Sequence, residues 1–167
     1  MRPNPHPEGP AAIRLRTLCF VFCGEDLLLI CRQRPPDVGR WNAIGGKLDR
    51  GEDPLDAARR ELREEAGIEP PLAFRGVATV VVRSTGDHWA IFLFSAQVAD
   101  RTVTPSHEGP LRWASPQEIA SLPVLPDIPL LLPHLRDRDS TVILAKFTYA
   151  DAEAPFPDGV RIHRGTL

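Results

Sequence analysis

Residues 46–68, GKLDRGEDPLDAARRELREEAGI, pack three carboxylates and two guanidiniums into the six positions Arg60-Glu61-Leu62-Arg63-Glu64-Glu65. The flanks predict a helix around them. Asp53 is a good N-cap, Pro54 suits the first helical position, and Asp56 puts negative charge into the first turn. Gly67 supplies the residue that tolerates a left-handed conformation just past the last turn. Leu55, Ala58, Leu62 and Ala66 recur at helical steps and form one apolar stripe, while Glu61, Glu64 and Glu65 gather on another side. Two carboxylates about 4 Å apart repel by ~1 kcal/mol in water and ~4 kcal/mol at a protein-like dielectric. Arg60, one turn before Glu64, relieves only part of that cost. A hard divalent cation turns the liability into an affinity, because Mg²⁺ takes carboxylate oxygens together with waters and substrate phosphates. A solvated charged face is the other reading of this helix taken alone.

The flanks favour the cation. From Gly46 the chain follows G-x5-E-x7-R-E-L-x-E-E-x-G-I through Glu52, Arg60, Glu61, Leu62, Glu64, Glu65, Gly67 and Ile68. At average residue frequencies such a coincidence occurs by chance in roughly one chain in 10⁷. The pattern resembles the Nudix box. The resemblance implies the Nudix fold, an α/β fold with a mixed β-sheet in an α/β/α sandwich, and a loop–helix–loop that holds Mg²⁺ (with Mn²⁺ as a substitute) against a diphosphate.

The rest of the chain fits one domain. Its 167 residues are enough to bury about 70% of the unfolded surface in a single core. A net charge of −2 argues against a nucleic-acid polymer or an anionic membrane as partner. No apolar run is long enough to span a bilayer, and no basic-then-apolar leader is present, so a cytoplasmic location is expected. Cys19, Cys23 and Cys31 lie in apolar segments without zinc-ligand spacing and read as buried small hydrophobes in a reducing compartment.

Residues 1–11, rich in proline, read as a disordered leader, residues 12–150 as the domain, and residues 151–167 as a poorly ordered tail. Strands are expected at 13–22 and 27–30 (a hairpin), 41–44, 47–48, 74–82, 89–98, 111–113 and 141–147. Ser115-Pro116-Gln117-Glu118 is a capping box, and the leucine-rich 122–135 is expected to hold a loop and a short buried helix. Composition alone allows α/β or α+β. Oligomeric state stays open between monomer and homodimer.

The chemistry implied by the resemblance is hydrolysis of a diphosphate bond, which needs charge neutralisation and an oriented water. Glu61, Glu64, Glu65 and Gly46 form the implied metal set. Glu52 and Arg60 support it, with Arg60 orienting the carboxylates. A carboxylate near the metal takes the proton from water: a box glutamate such as Glu64 or Glu61, or Glu108 in the loop before Trp113. Glu108 is otherwise an ordinary surface acid.

For substrate, Arg40-Trp41-Asn42-Ala43-Ile44-Gly45-Gly46-Lys47 resembles the W-N-x-x-G-G-K segment of the MutT-like enzymes acting on oxidised purine nucleoside triphosphates such as 8-oxo-dGTP. By that resemblance Asn42 reads a base edge, Arg32 and Lys47 lie near the phosphates, and Asp127 (after Pro126) contacts the purine. Leu125 departs from it, standing where some relatives carry a stacking tryptophan. In ordinary readings Asn42 is a turn residue, Asp127 a helix cap and Trp41 a core residue. The implied product pair is a nucleoside monophosphate and pyrophosphate. ADP-ribose or another nucleoside-diphosphate derivative is the alternative substrate, and a non-catalytic nucleotide-binding module is the alternative class. Such modules usually lose box acids, and this chain keeps them all.

Overall fold

The apolar runs of the chain send alternate side chains to two faces of one sheet, and helices cover both. The computed structural model describes residues 12–35, 37–136 and 141–166. Strand β1 (Arg14–Cys23) turns at Gly24, with φ 61°, into β2 (Asp26–Cys31) as an antiparallel hairpin. Then come β3 (Trp41–Asn42), helix α1 (Pro54–Ala66), β4 (Ala73–Val82), β5 (His88–Gln97), β6 (Leu111–Ala114), α2 (Pro116–Ser121), α3 (Asp127–Leu135), β7 (Thr141–Tyr149) and β8 (Gly159–Thr166). The sheet runs β3-β2-β1-β5-β4-β7-β8, with β6 also paired to β2. The β1–β5 and β4–β7 pairs are parallel and the others antiparallel, so the sheet is mixed.

β1 is buried on both faces along most of its length, as a strand between two helical layers must be. Leu18, Phe20 and Phe22 join Ile119 of α2 and Ile128, Leu131 and Leu135 of α3 in one apolar cluster. Cys19 and Val21 join Ala58, Leu62 and Ala66 of α1 in the other. This is the α/β/α arrangement expected of the Nudix fold. The stripe of α1 faces β1, so the acids on its flank lie at the rim of the sheet rather than over its centre.

Three expectations are corrected. The segment after Ala150 is not all irregular: β8 pairs with β7 over its whole length, and Ile162 packs against the α3-side core. The alternation Val160, Arg161, Ile162, His163 is a strand signal that the neighbouring prolines and charges obscure. Residues 47–48 form one isolated bridge, Arg16 to Lys47, rather than a strand, because Gly45 and Gly46 hug β1 and the chain then leaves for the box loop. Of the cysteines only Cys19 is fully buried; Cys23 and Cys31 stand at strand ends and are half-exposed. The leader lies outside the described residues. Among the described residues no helix is long and apolar enough to cross a membrane.

Candidate active site

Local chemistry builds α1 as the sequence predicts. Asp53 accepts hydrogen bonds from the Leu55 and Asp56 N–H groups at 2.8 and 3.0 Å, and Pro54 opens the helix. Gly67 closes it in the left-handed conformation (φ 67°, ψ 26°), donating to the Arg63 carbonyl at 3.1 Å. With both ends held, the register of the acids is set.

Arg60 organises them. Its Nε and Nη2 reach the two oxygens of Glu52 at 2.9 and 3.0 Å, a bidentate pair. Its Nη1 donates to Glu61 Oε1 at 2.9 Å and Glu64 Oε2 at 3.2 Å, and Nη2 also reaches the Lys47 carbonyl at 3.0 Å. One guanidinium thereby ties α1 to the loop before it. The pairing holds the Glu52 carboxyl below its usual range and raises the Arg60 pKa.

Glu61 and Glu65 are pressed between α1 and the chain at Gly45-Gly46. A Cβ on Gly46 would lie 2.1 Å from Glu61 Oε1, so only glycine leaves room for that carboxylate. The Gly45 N–H donates to Glu65 Oε2 at 3.2 Å. Glu65 is 6% exposed, and burial, followed by the nearby Glu61 charge, pushes its carboxyl up to about 8. Burial also raises Glu61, against the opposing pull of Arg60. Glu64 is the exposed acid, with 56% of its side chain accessible.

These groups line a cavity of about 530 Å³. The lining carries the acids Glu61, Glu64, Glu65, Glu108 and Asp49 and the cations Arg16, Arg32, Arg34, Lys47 and Arg60, with Asn42 beside them. Glu108 reaches the cavity because Gly109 packs directly on the Cys31 carbonyl, where a Cβ would sit 2.1 Å from the oxygen, and Cys31 N–H donates to the Pro110 carbonyl at 2.9 Å. The Asn42 Oδ1 accepts from the Ala43 N–H at 3.0 Å, leaving the amide NH₂ to meet a ligand.

Two candidates lie elsewhere. Glu52 stands behind Arg60, off the lining. Asp127 is buried at the start of α3, 9% exposed, and burial followed by the Asp37 charge pushes it up to about 6. Its segment is drawn toward β3 by hydrogen bonds from Trp41 N–H to the Pro123 carbonyl and from Leu125 N–H to the Trp41 carbonyl, both 2.9 Å.

Sequence reasoning missed the charged lining residues Arg16, Arg34 and Asp49. Arg16 had a signal: it sits two residues before Leu18 on the face of β1 that Leu18, Phe20 and Phe22 bury.

Among the described residues no three acidic, histidine or cysteine side chains already converge on one point as a closed metal cage. Glu61 and Glu64 turn to Arg60 and Glu65 turns to Gly45.

Comparison with known proteins gives a family match and several relatives. The NUDIX domain profile matches residues 12–135. An uncharacterised Nudix hydrolase of Bacillus subtilis, YvcI, is 36% identical over 118 residues, covering 66% of this chain and 71% of its own. The oxidized purine nucleoside triphosphate hydrolase of Mus musculus is 32% identical over 143 residues, covering 79% of this chain and 92% of its own. The crystal structure of the MutT protein from Bacillus halodurans superposes with a TM-score of 0.75 at 26% identity, over 90% of this chain and 97% of that one.

Proposed function

Because the chain belongs to the NUDIX family of hydrolases, which act on nucleoside phosphate anhydrides, we propose that it is a Mg²⁺-dependent pyrophosphohydrolase cleaving a nucleoside triphosphate, with a normal or oxidised purine, to the monophosphate and pyrophosphate. The observation that carries the reaction is the pair of confined carboxylates, Glu61 and Glu65, whose charged forms burial disfavours. Arg60 and the Gly45 N–H offset that cost only in part, and a cation would offset more of it. Glu61, Glu64 and Glu65, with Gly46 beside them, are the residues that would hold it. When bound, Mg²⁺ neutralises phosphoryl charge and acidifies water.

The chain's own groups do the rest. Arg60, fixed by Glu52, sets the orientation of Glu61 and Glu64. The more exposed acids, Glu64 and Glu108, are placed to accept a proton from the attacking water. No nucleophilic side chain is needed, so no covalent intermediate forms. Arg32 and Lys47 face the phosphates. The Asn42 NH₂ donates to a base edge, and Asp127, which stands off the cavity lining, is the further candidate for a purine contact. The mouse relative, named for oxidised purine nucleoside triphosphates, supports the nucleotide class. Three free thiols suit a reducing cytoplasm.

Glu64→Gln and Glu65→Gln test the reaction: each is expected to cut Mg²⁺-dependent turnover at least 10²-fold with an unchanged circular dichroism spectrum, and unchanged turnover would sink the metal assignment. The substrate is tested on a panel of normal and 8-oxo nucleoside triphosphates, ADP-ribose and dinucleoside polyphosphates. Pyrophosphate release from a triphosphate at the highest kcat/KM supports the reading. Preference for ADP-ribose replaces it with a diphosphate-derivative substrate, and turnover of none leaves a binding module.

A further inference from the structure

Arg16 is a cation without an anion. Many arginines of the described residues have a carboxylate in reach: Arg14 pairs with Asp87, Arg59 with Asp56, Arg63 with Glu69, Arg101 with Asp26 and Arg112 with Glu118. Arg60, also on the cavity lining, has Glu52, Glu61 and Glu64. Arg16 forms no side-chain hydrogen bond or ion pair among the described residues, and its Nε is enclosed with no partner. It is nonetheless half-buried, and it lines the cavity with Arg32. Burial and the like charges of Arg32 and Arg14 disfavour its cationic form, with Glu61 opposing them only weakly. A desolvated guanidinium beside another cation is destabilising unless an anion arrives.

The placement is rigid rather than incidental. Arg16 lies within β1, bonded in parallel register to β5, and its backbone bridges to Lys47. The hydrogen bonds on either side, Thr17 N–H to the Gly46 carbonyl at 2.9 Å and Leu48 N–H to the Leu15 carbonyl at 3.2 Å, lock it to the loop that carries Gly46. Arg16 therefore starts from a fixed strand position and shares the cavity lining with Glu61, Glu64 and Glu65. A base edge would supply hydrogen bonds but no negative charge to the Arg16 guanidinium. A phosphate supplies both charge and paired acceptors, which a planar guanidinium matches.

We propose that Arg16 is a substrate-specificity residue: with Arg32 it forms an anion subsite for the pyrophosphate half of a triphosphate, the part that departs as product. It gives the cavity its preference for three phosphates over two. This inference rests on the triphosphate reading above and deepens it.

The test is binding of inorganic pyrophosphate to the full chain. Product inhibition by pyrophosphate and by nucleoside monophosphate is measured with Mg²⁺, and the pyrophosphate-induced rise in Tm is measured in metal-free buffer with EDTA. Arg16→Gln is expected to raise the inhibition constant of pyrophosphate at least tenfold, to leave that of the monophosphate within about twofold, and to abolish the metal-free Tm rise. Arg16→Lys, which keeps the charge without the fork, is expected to fall between and serves if the glutamine variant does not fold. Kinetically, Arg16→Gln should lower kcat/KM for triphosphates through KM, and by more than for a diphosphate derivative such as ADP-ribose, which offers the subsite one phosphate instead of two.

Equal pyrophosphate affinity in wild type and both variants overturns the proposal, as does a loss confined to the monophosphate. If wild type hydrolyses triphosphates while Arg16→Gln still binds pyrophosphate normally, the inference alone fails. If wild type hydrolyses none but binds pyrophosphate through Arg16, the triphosphate reading alone fails.

Discussion

Gly46 and Asp127 show two ways in which a single residue constrains this site. Gly46 acts by what it lacks. Because a Cβ would meet Glu61 Oε1 at 2.1 Å, Gly46→Ala must push the carboxylate away or shift the loop. The carboxylate is the softer of the two, so the variant should fold with a Tm within a few degrees of wild type while turnover falls roughly 10²-fold, a combination that circular dichroism melts and a pyrophosphate assay separate. Asp127 acts through its proton. Its folded-state pKa of about 6 lies above the 3.8 of a free carboxyl, so the folded chain holds a proton that the unfolded chain gives up. The associated stability is fully present below pH 3.8 and is lost as pH rises through about 6. Asp127→Asn, which keeps the shape and removes the charge, should therefore gain up to about 3 kcal/mol over wild type at pH 7 and almost nothing at pH 4. Thermal melts at the two pH values check this; an equal effect at both would show that the buried carboxyl is not the cause.

At the scale of the element, α1 owes its position to its ends. The Asp53 cap satisfies two N–H groups, so Asp53→Ala should cost about 1 kcal/mol. In a domain of this size that lowers Tm by about 2–4 °C. Gly67→Ala should cost more, since φ is 67° and the new Cβ would stand 2.8 Å from the Thr104 Cβ. Both variants should lose activity only as far as they unfold, because neither touches the cavity; a turnover loss at a temperature where the variant is fully folded would mean that the caps set the register of the acids as well as the stability of the helix. The caps, the proline at the first position and the three- and four-residue spacing were all readable in advance. Each depends on partners a few residues away, and short-range hydrogen-bonding chemistry is what residue type encodes most directly.

The whole molecule adds what no element contains. Its sheet has an apolar layer on each face, one under α2 and α3 and one under α1, and the cavity opens where loops from β2, β3 and β6 meet α1. β8 closes the far edge: it covers one side of β7, whose Leu144 is 62% exposed, and Asp158 in the loop before it pairs with Arg83. Ending the chain at Pro157 should make β7 an unprotected edge, lower the Tm by several degrees and promote association between copies, as measured by light scattering. The cavity residues lie between Arg16 and Glu108, so the fraction that remains folded and monomeric should keep its metal-dependent turnover. The tail was misread because its strand is short, flanked by proline and charge, and stabilised by a partner strand that only the fold supplies.

The sequence by itself determined the loop–helix–loop of residues 46–68, its caps, the grouping of Glu61, Glu64 and Glu65, and through the box pattern the family and its reaction class. Those features are local, and spacing on a helix translates directly into position in space. Only the tertiary structure decided that Glu108 reaches the acids, that Asp127 stands apart from them, that β8 belongs to the sheet, and that Arg16 shares the cavity lining with them unpaired. Each of these joins segments far apart in the chain. Which of them meet depends on strand register and on close backbone approaches such as Gly46 on Glu61 and Gly109 on Cys31, and these are properties of packing rather than of any stretch of residues.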